Sequence, residues 1–401
     1  MKRTIWVGTA LLAFATVVVG LRFGSLERIA AAQSGQVPAG EVPMFQVDPS
    51  WPKLPSKWVF GYVSGITVDA QDHIWVLHRP RTIKPEHKGR AAPPVLEFDA
   101  AGNFIQGWGG PGEGYEWFST EHGVSIDQKG FVWLTGSGTG GADPADDHIL
   151  KFTKAGKFVL QIGRKGQSKG NTDPNNVHGA ADVALYPKTN EIFVADGYGN
   201  KRVIVFDADT GKFKRMWSAF GNPPTDQPPA KPAAAAAASS GPPPPQEGPG
   251  AQFDLVHAAR VSNDGLVYVC DRSNRRLQVF TPDGKFVTQL YLSKDFNGPT
   301  ASRTAFSPDP EQRILYVIDR SNVEIVALER KTLRRLGSFG GSGCPITPAG
   351  APGSCETAPP GKFGILHDIA TDSKGNIYTA ESLDARRAQK LVFKGMSKPA
   401  K

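Results

Sequence analysis

Apolar and polar residues alternate along this chain in short stretches, and turn residues separate the stretches at regular intervals. Four stretches are nearly alike: FDAAGNFIQGWG from Phe98, FTKAGKFVLQIG from Phe152, FDADTGKFKRMW from Phe206 and FTPDGKFVTQL from Phe280. An apolar strand ending in Asp, a turn and a second apolar strand precede each of them. Units that recur about every fifty residues are typical of closed arrays in which each unit buries its faces against its neighbours. The pattern therefore predicts an all-β propeller.

The repeated units predict six blades. They span about 61–108, 122–162, 181–217, 257–292, 304–339 and 367–393, within a propeller of residues 58–396. We expect an extended linker over 33–57 that leads to the closing strand of the ring. Two segments interrupt the repeats without changing the strand phase, one at 221–250 and one at 340–360. The first is rich in proline and alanine and cannot bury much apolar area, so we expect a disordered insertion there; we expect a long loop at the second.

The first 32 residues predict export. Two basic residues precede an apolar run over 5–20, which is typical of a signal peptide. Small residues at 30–32 suit cleavage, but the charged spacer at 21–29 leaves an uncleaved membrane anchor open. Either alternative places the folded part in the periplasm or outside the cell. In such an oxidising compartment Cys344 and Cys355 could close the second long loop as a disulfide.

The charge balance argues against nucleic acid as a partner. The net charge of +8 is modest for 401 residues, and lysine and arginine are dispersed along the chain. Export makes nucleic acid a still poorer fit. The 45 glycines and 33 prolines agree with a turn-rich β protein.

Three histidines recur at one phase of the repeat. His122 opens HGVSID, His257 opens HAARVS and His367 opens HDIATD, each just before the first strand of its unit. First strands line the central channel of a propeller, so these imidazoles should meet at one mouth. A tripod of histidines suits zinc and leaves a position for water or substrate, although copper, nickel and iron stay open. The alternative is that each is an ordinary loop residue, but three of eight histidines at one phase favour a metal centre.

Four longer segments resemble one family. HGVSID followed by Trp133, ADVALYPKTNEIFVADGYGNKRVIVFDADTGKF, FDLVHAARVSNDGLVYVCDRSNRRLQVF and FGILHDIATDSKGNIYTAE look like the lyase domain of peptidylglycine α-amidating enzymes, known as peptidyl-α-hydroxyglycine α-amidating lyase. The resemblance covers about residues 60–395. It implies a six-bladed NHL-type β-propeller and a zinc-dependent carbon–nitrogen lyase that acts on a peptide or a small molecule.

The resemblance also implies roles for individual residues. The zinc ligands would be His122, His257 and His367, the catalytic tyrosine Tyr198, and the arginines of the active site Arg79 and Arg272. A structural calcium in the channel would be held by the carboxylate of Asp368 and by the backbone carbonyls of Ile66 and Val124.

The sequence departs from the family pattern in three ways. Ile365 stands where the family has a methionine near the zinc. Gly199 replaces the cysteine beside the catalytic tyrosine, so a disulfide of the animal members cannot form. No copper-dependent monooxygenase domain is expected in this sequence, so any monooxygenase partner would be a separate protein. The family's peptide substrate is therefore less well supported than its metal site.

The expected chemistry also follows from the residue types. Zinc acts as a Lewis acid on a hydroxyl group, and arginine charge favours the phenolate of Tyr198, which could then act as a general base. Loss of the carbinol proton collapses the N–C bond and releases an amide and glyoxylate, whose carboxylate suits the planar fork of Arg79 or Arg272. The alternative for these residues is ordinary turn chemistry at a strand end. His178, three residues before Ala181 at the tripod phase of the third unit, could be a further contact at the mouth.

Two other functions stay open from the sequence alone. A non-catalytic NHL propeller could bind proteins or envelope polymers through one face, and a propeller lactonase could use an axial calcium held by Glu, Asn and Asp. A scaffold needs neither three phased histidines nor Tyr198, and histidines at the rim fit a lactonase poorly. We therefore predict an exported, zinc-dependent lyase.

Overall fold

The computed structural model describes residues 37, 40–227, 251–292, 300–345 and 355–398. Its strands in chain order are β1 (Val42–Asp48), β2 (Tyr62–Val68), β3 (Ile74–Arg79), β4 (Val95–Phe98), β5 (Phe104–Trp108), β6 (Glu121–Ile126), β7 (Phe131–Gly136), β8 (His148–Thr153), β9 (Phe158–Gly163), β10 (Ala180–Tyr186), β11 (Glu191–Asp196), β12 (Arg202–Asp207), β13 (Phe213–Trp217), β14 (Val256–Val261), β15 (Val267–Asp271), β16 (Arg276–Phe280), β17 (Phe286–Tyr291), β18 (Ala301–Phe306), β19 (Ile314–Asp319), β20 (Glu324–Glu329), β21 (Arg334–Gly340), β22 (Ile365–Thr371), β23 (Ile377–Ser382) and β24 (Arg387–Ser397). Within these ranges the helical segments are four 3₁₀ turns, at Pro80–Thr82, Pro85–His87, Ala219–Gly221 and Leu383–Ala385.

The strands form six four-stranded antiparallel sheets that close into a ring. Blades one to five take consecutive strands, from β2–β5 to β18–β21, and blade six combines β22–β24 with β1. The innermost strands contact one another in the order β2, β6, β10, β14, β18 and β22, and β22 contacts β2 again. The predicted six-bladed β-propeller is confirmed.

The strand nearest the N-terminus closes the ring. β1 pairs antiparallel with β24, with Val47 opposite Leu391 and Asp48 opposite Lys390. Residues 42–48 were expected within an extended linker, and the structure shows a strand there instead. Without it, β24 would be an exposed edge with unpaired backbone groups.

The hydrophobic core lies between the blades and not on the axis. Six clusters of buried apolar residues each join two neighbouring blades. Trp75 and Trp133 are fully buried in two of them. Their indole N–H groups donate to Asp69 and Asp127, the aspartates that begin the turns before their strands. Because the blade faces are satisfied against one another, polar residues are left to line the channel.

The three segments predicted outside the blades are described only in part. Residues 1–32 and most of 221–250 lie outside the described residues. In the second loop, Cys344 and Cys355 form a disulfide with their Cα atoms 5.6 Å apart. Among the described residues, no helix has the length and apolar character needed to cross a membrane.

Candidate metal centre and active site

The inner strand of every blade carries a bulge at the same place. In each of them the pairing with the second strand skips a position, and the skipped positions are Ser64, His122, Ala181, His257, Ser302 with Arg303, and His367. Bulges re-aim a side chain relative to the sheet. The histidines were expected just before the first strands, and the structure places them inside these strands, because the bulge ends the regular alternation there. They alternate around the ring, in blades two, four and six.

The three histidines meet at the axis, as predicted. The ring centroid of His122 lies 5.0 Å from that of His257 and 4.7 Å from that of His367. The centroids of His257 and His367 are 5.3 Å apart. Their ligand nitrogens all lie within 4.8 Å of one another. The first and second histidines are fully buried and the third is 7% exposed.

Backbone carbonyls of the alternate blades hold the three rings in place. The Nδ1 atom of His122 lies 2.7 Å from the oxygen of Ala181, and that of His257 lies 3.0 Å from the oxygen of Ser302. The Nδ1 atom of His367 lies 2.7 Å from the oxygen of Ser64. A carbonyl can only accept, so each Nδ1 carries the proton and each Nε2 is left as a lone-pair donor.

The imidazoles are held in the neutral form that binds metals. Burial lowers the pKa of all three well below its ordinary value, and neighbouring charges lower it further. Three neutral imidazoles without a thiolate, each oriented by a carbonyl, form a donor set that fits zinc with one position open.

Tyr198 lies directly against the tripod. Its hydroxyl oxygen is 2.9 Å from Nε2 of His122 and 3.1 Å from Nε2 of His257. Tyr198 thus reaches the nitrogens that face the open position. The structure brings the predicted catalytic tyrosine and the predicted metal ligands into one site.

Glycines allow the loop that carries Tyr198 to pack tightly. A Cβ at Gly197 would lie 2.0 Å from the carbonyl oxygen of Val256 in the next blade, and one at Gly199 would lie 1.7 Å from Cδ2 of His178. His178 is itself held by Asp147, whose Oδ1 lies 2.6 Å from its Nδ1. His178 therefore packs directly against the loop that carries Tyr198, at Gly199.

Three arginines stand around the same mouth. Arg79 donates from Nε to the carbonyl oxygen of Glu121, the residue before the first histidine, at 2.7 Å. The guanidinium carbon of Arg272 lies 5.8 Å from the ring centre of Tyr198. The third arginine, Arg320, was not predicted from the sequence. Burial lowers the pKa of Arg320 and the charge of Arg272 lowers it further, whereas Tyr198 raises it. The repeated tetrapeptide Asp-Arg-Ser-Asn, at 271–274 and 319–322, was the signal that could have identified it.

A second unpredicted arginine fills the channel behind the tripod. Arg303 is fully buried, with Nη1 2.5 Å from Oδ1 of Asp182 and Nε 3.7 Å from Oδ1 of Asp368. Its Nη2 donates to the carbonyl oxygen of Ala181 at 2.9 Å. It thus contacts the same carbonyl that orients His122.

This arrangement does not fit the calcium that the resemblance implied. Asp368 accepts the backbone N–H groups of Ile66 and Ile369 at 3.1 and 2.9 Å, and the cation beside it is the guanidinium of Arg303. Ile66 and Val124 do lie in the inner strands of blades one and two. A divalent ion next to them would be a second cation beside the buried guanidinium of Arg303, which already pairs with Asp368. We therefore derive no role for calcium.

Two other features of the described residues fit a metal or a substrate less well. Asp69, His73 and Glu97 lie close enough to share an ion, but Lys154 already donates to Asp69 at 2.6 Å and Gln106 donates to Glu97 at 2.6 Å. A cavity of about 390 Å³ opens toward the C-terminal ends of the inner strands, and its lining includes Ile66 and Ile369 but none of the three histidines. The chemistry of the donor groups places the site at the histidine mouth.

Known proteins agree with this architecture. NHL repeat-containing protein 3 from Mus musculus is 25% identical over 362 residues, covering 88% of this chain and 85% of that protein. The chain is an NHL-type six-bladed β-propeller. No family model matches it.

This NHL-type propeller also resembles amidating lyases. A probable peptidyl-alpha-hydroxyglycine alpha-amidating lyase from Caenorhabditis elegans is 26% identical over 250 residues, 57% of each chain. The solved structure of streptogramin B lyase superposes with a TM-score of 0.51 at 12% identity and covers 87% of this chain and 98% of that one. At that identity the likeness shows the fold alone. The relatives that are named amidating lyases and the site formed by the three histidines and Tyr198 both agree with a lyase-like propeller.

Proposed function

We propose that this propeller is a zinc-dependent lyase that cleaves the N–C bond of an α-hydroxyglycine-like carbinolamide. The observation that carries the proposal is the hydroxyl of Tyr198, which lies within 3.1 Å of Nε2 in both His122 and His257. A general base must lie within hydrogen-bonding reach of the proton it removes. A hydroxyl group held at the tripod would lie within that reach.

The reaction requires one proton transfer and one bond cleavage. Bound zinc supplies Lewis acidity that makes the carbinol hydroxyl of the substrate more acidic. The phenolate of Tyr198 takes that proton, the O–H electron pair forms the carbonyl of glyoxylate, and the N–C bond breaks. The amide nitrogen keeps the electron pair of that bond and receives the proton from Tyr198. The products are the amide and glyoxylate.

The surrounding charges suit this sequence of steps. Arg79 interacts electrostatically with Tyr198, and Arg272 faces the same ring. Both positive charges therefore act on the residue that is proposed as the base. Arg79 also lies close to His122 and His367, because its charge adds to burial in lowering the pKa of both histidines. It is therefore placed to bind the substrate carboxylate that is released in glyoxylate.

We further propose that the enzyme works after export. The disulfide between Cys344 and Cys355 supports an oxidising compartment, in agreement with the signal-like segment at the N-terminus.

The decisive experiment is turnover of α-hydroxyhippurate by the purified, zinc-loaded protein. We expect one glyoxylate per benzamide released, together with one zinc per chain by elemental analysis. Calcium alone with lactone hydrolysis would favour a lactonase instead. A protein with no bound metal and no turnover would leave a binding scaffold and would refute the lyase.

A further inference from the structure

Arg272 and Arg320 occupy equivalent positions in adjacent blades. Each follows the aspartate that ends the second strand, and those aspartates pair with Val256 and Ala301, the residues just before the bulges of their blades. Thr300 connects the two arginines, because its N–H donates to the carbonyl oxygen of Arg272 and its own carbonyl accepts from the N–H of Arg320, both at 3.3 Å. The two side chains therefore stand next to each other on the rim of the mouth.

These two arginines have no anionic partner within the described residues. The Nε atoms of Arg272 and Arg320 are buried without a hydrogen-bond partner, and so is the hydroxyl of Thr300 between them. Other buried arginines of the propeller are paired; Arg202 and Arg276, for example, donate to Asp196 and Asp271. Two adjacent guanidinium groups without a carboxylate repel each other, and leaving buried donors unsatisfied costs stability. Such a cost is typical of a site prepared for an anion.

The pair is separate from the third arginine. Arg79 belongs to blade one, which lies opposite blade four in a ring of six. The mouth therefore offers two anion-binding positions, one at Arg79 and one between Arg272 and Arg320, on opposite sides of the tripod.

We propose that Arg272 and Arg320, with the hydroxyl of Thr300, bind a second carboxylate of the substrate, so that the preferred carbinolamide is a dianion. This inference rests on the proposed function: the first carboxylate, at the reacting carbon, takes the position at Arg79. The second one is carried by the acyl part, which leaves as the amide. The site thereby selects an acidic acyl group over a neutral one.

Binding of unreactive ligands tests this subsite independently of turnover. N-succinylglycine carries the second carboxylate, lacks the carbinol hydroxyl and cannot react; N-succinamoylglycine is its neutral amide counterpart. With zinc-loaded full-length protein, calorimetry should show N-succinylglycine binding roughly 10- to 100-fold more tightly, the range of a charge-assisted hydrogen bond. In Arg320→Gln the ratio should fall to about one, and Arg320→Lys should retain part of it. The control Arg335→Gln, in the outer strand of the same blade, should keep the full ratio.

The outcomes separate the two proposals. Equal affinities for the two ligands, no binding of either at millimolar concentration, or an unchanged ratio in Arg320→Gln would each overturn the dianion subsite. If Arg320→Gln does not fold, the test uses Arg320→Lys and the salt dependence of the wild-type protein. The preference for N-succinylglycine over N-succinamoylglycine should then fall as salt rises, because salt screens a contact between charges. A clear preference for N-succinylglycine without glyoxylate release from either α-hydroxyhippurate or its dianionic counterpart N-succinyl-α-hydroxyglycine would reject the lyase and retain an anion-binding site.

Discussion

The Nδ1 atom of His367, in the last blade, lies 2.7 Å from the carbonyl oxygen of Ser64, in the first blade, although 303 positions separate the two residues. Equivalent contacts join blade two to blade three and blade four to blade five. Each histidine of the tripod is thus oriented by the blade that follows it. Closure of the ring therefore assembles the site as well as the fold.

Replacing His257 with alanine should remove most of the bound zinc. Two imidazoles cannot replace the three-nitrogen donor set that a catalytic zinc site requires. Elemental analysis after dialysis measures the effect, which we expect as a fall from one zinc per chain to a small fraction. His73→Ala is the matched control, since His73 belongs to the cluster with Asp69 and Glu97. Stoichiometric zinc in His257→Ala, or its loss in the control, would place the metal elsewhere.

Replacing Tyr198 with phenylalanine should abolish turnover while leaving zinc content unchanged. The hydroxyl contacts only the two imidazoles in the described structure, so its loss leaves the ring packing intact. We expect the rate of glyoxylate release to fall about 10²- to 10⁴-fold, the usual contribution of a general base. Wild-type rates in this variant would reject Tyr198 as the base.

Chelation of calcium should leave the stability of the propeller unchanged. The guanidinium of Arg303 already lies between Asp182 and Asp368, so no second cation is needed there. Arg303→Met should lower the free energy of unfolding by about 3 kcal/mol, because it leaves buried carboxylates uncompensated. Among the described residues, the partly exposed Arg260, 2.8 Å from Asp182, would then remain as a cationic partner.

Thermal unfolding with and without EGTA provides the measurement for the channel cation. Arg335→Gln, at an exposed position, should change the free energy of unfolding by no more than about 0.5 kcal/mol. A melting temperature that drops with EGTA and recovers with calcium would show that the channel binds calcium after all.

The stabilisation by His178 should depend on pH. Its hydrogen bond to Asp147 raises the pKa of His178 above the ordinary value, against the opposing effect of burial. A raised folded-state pKa contributes stability that is fully present below the unfolded pKa and is lost as pH rises through the folded pKa. The gap in melting temperature between the wild type and His178→Gln should therefore be larger at about pH 5.5 than at about pH 8.5.

Asp147→Asn provides the check on that assignment. This substitution removes the partner of His178 and should reproduce the pH-dependent part of the fall in melting temperature seen in His178→Gln. Combining the two substitutions should add little to that part. A gap that stays constant across this pH range would mean that His178 acts by packing against Gly199 alone.

The repeat pattern was sufficient to predict the six blades and the tripod. Alternating strands with matching turns repeat because every blade solves the same packing problem, so His122, His257 and His367 at one phase must meet at the axis. The bulges that place them inside the strands were not predictable, because a bulge depends on pairing with the second strand. The strand at 42–48 was missed for a related reason, since its partner is the last strand of the chain.

The sequence alone therefore determined the architecture and the convergence of the three histidines, because both follow from local periodicity. Only the tertiary structure decided which charges surround them. Arg303 beside Asp182 and Asp368, and Arg320 beside Arg272, come from different blades. Electrostatic interactions depend on distance in space and on burial, and neither quantity can be read from the spacing of residues along the chain.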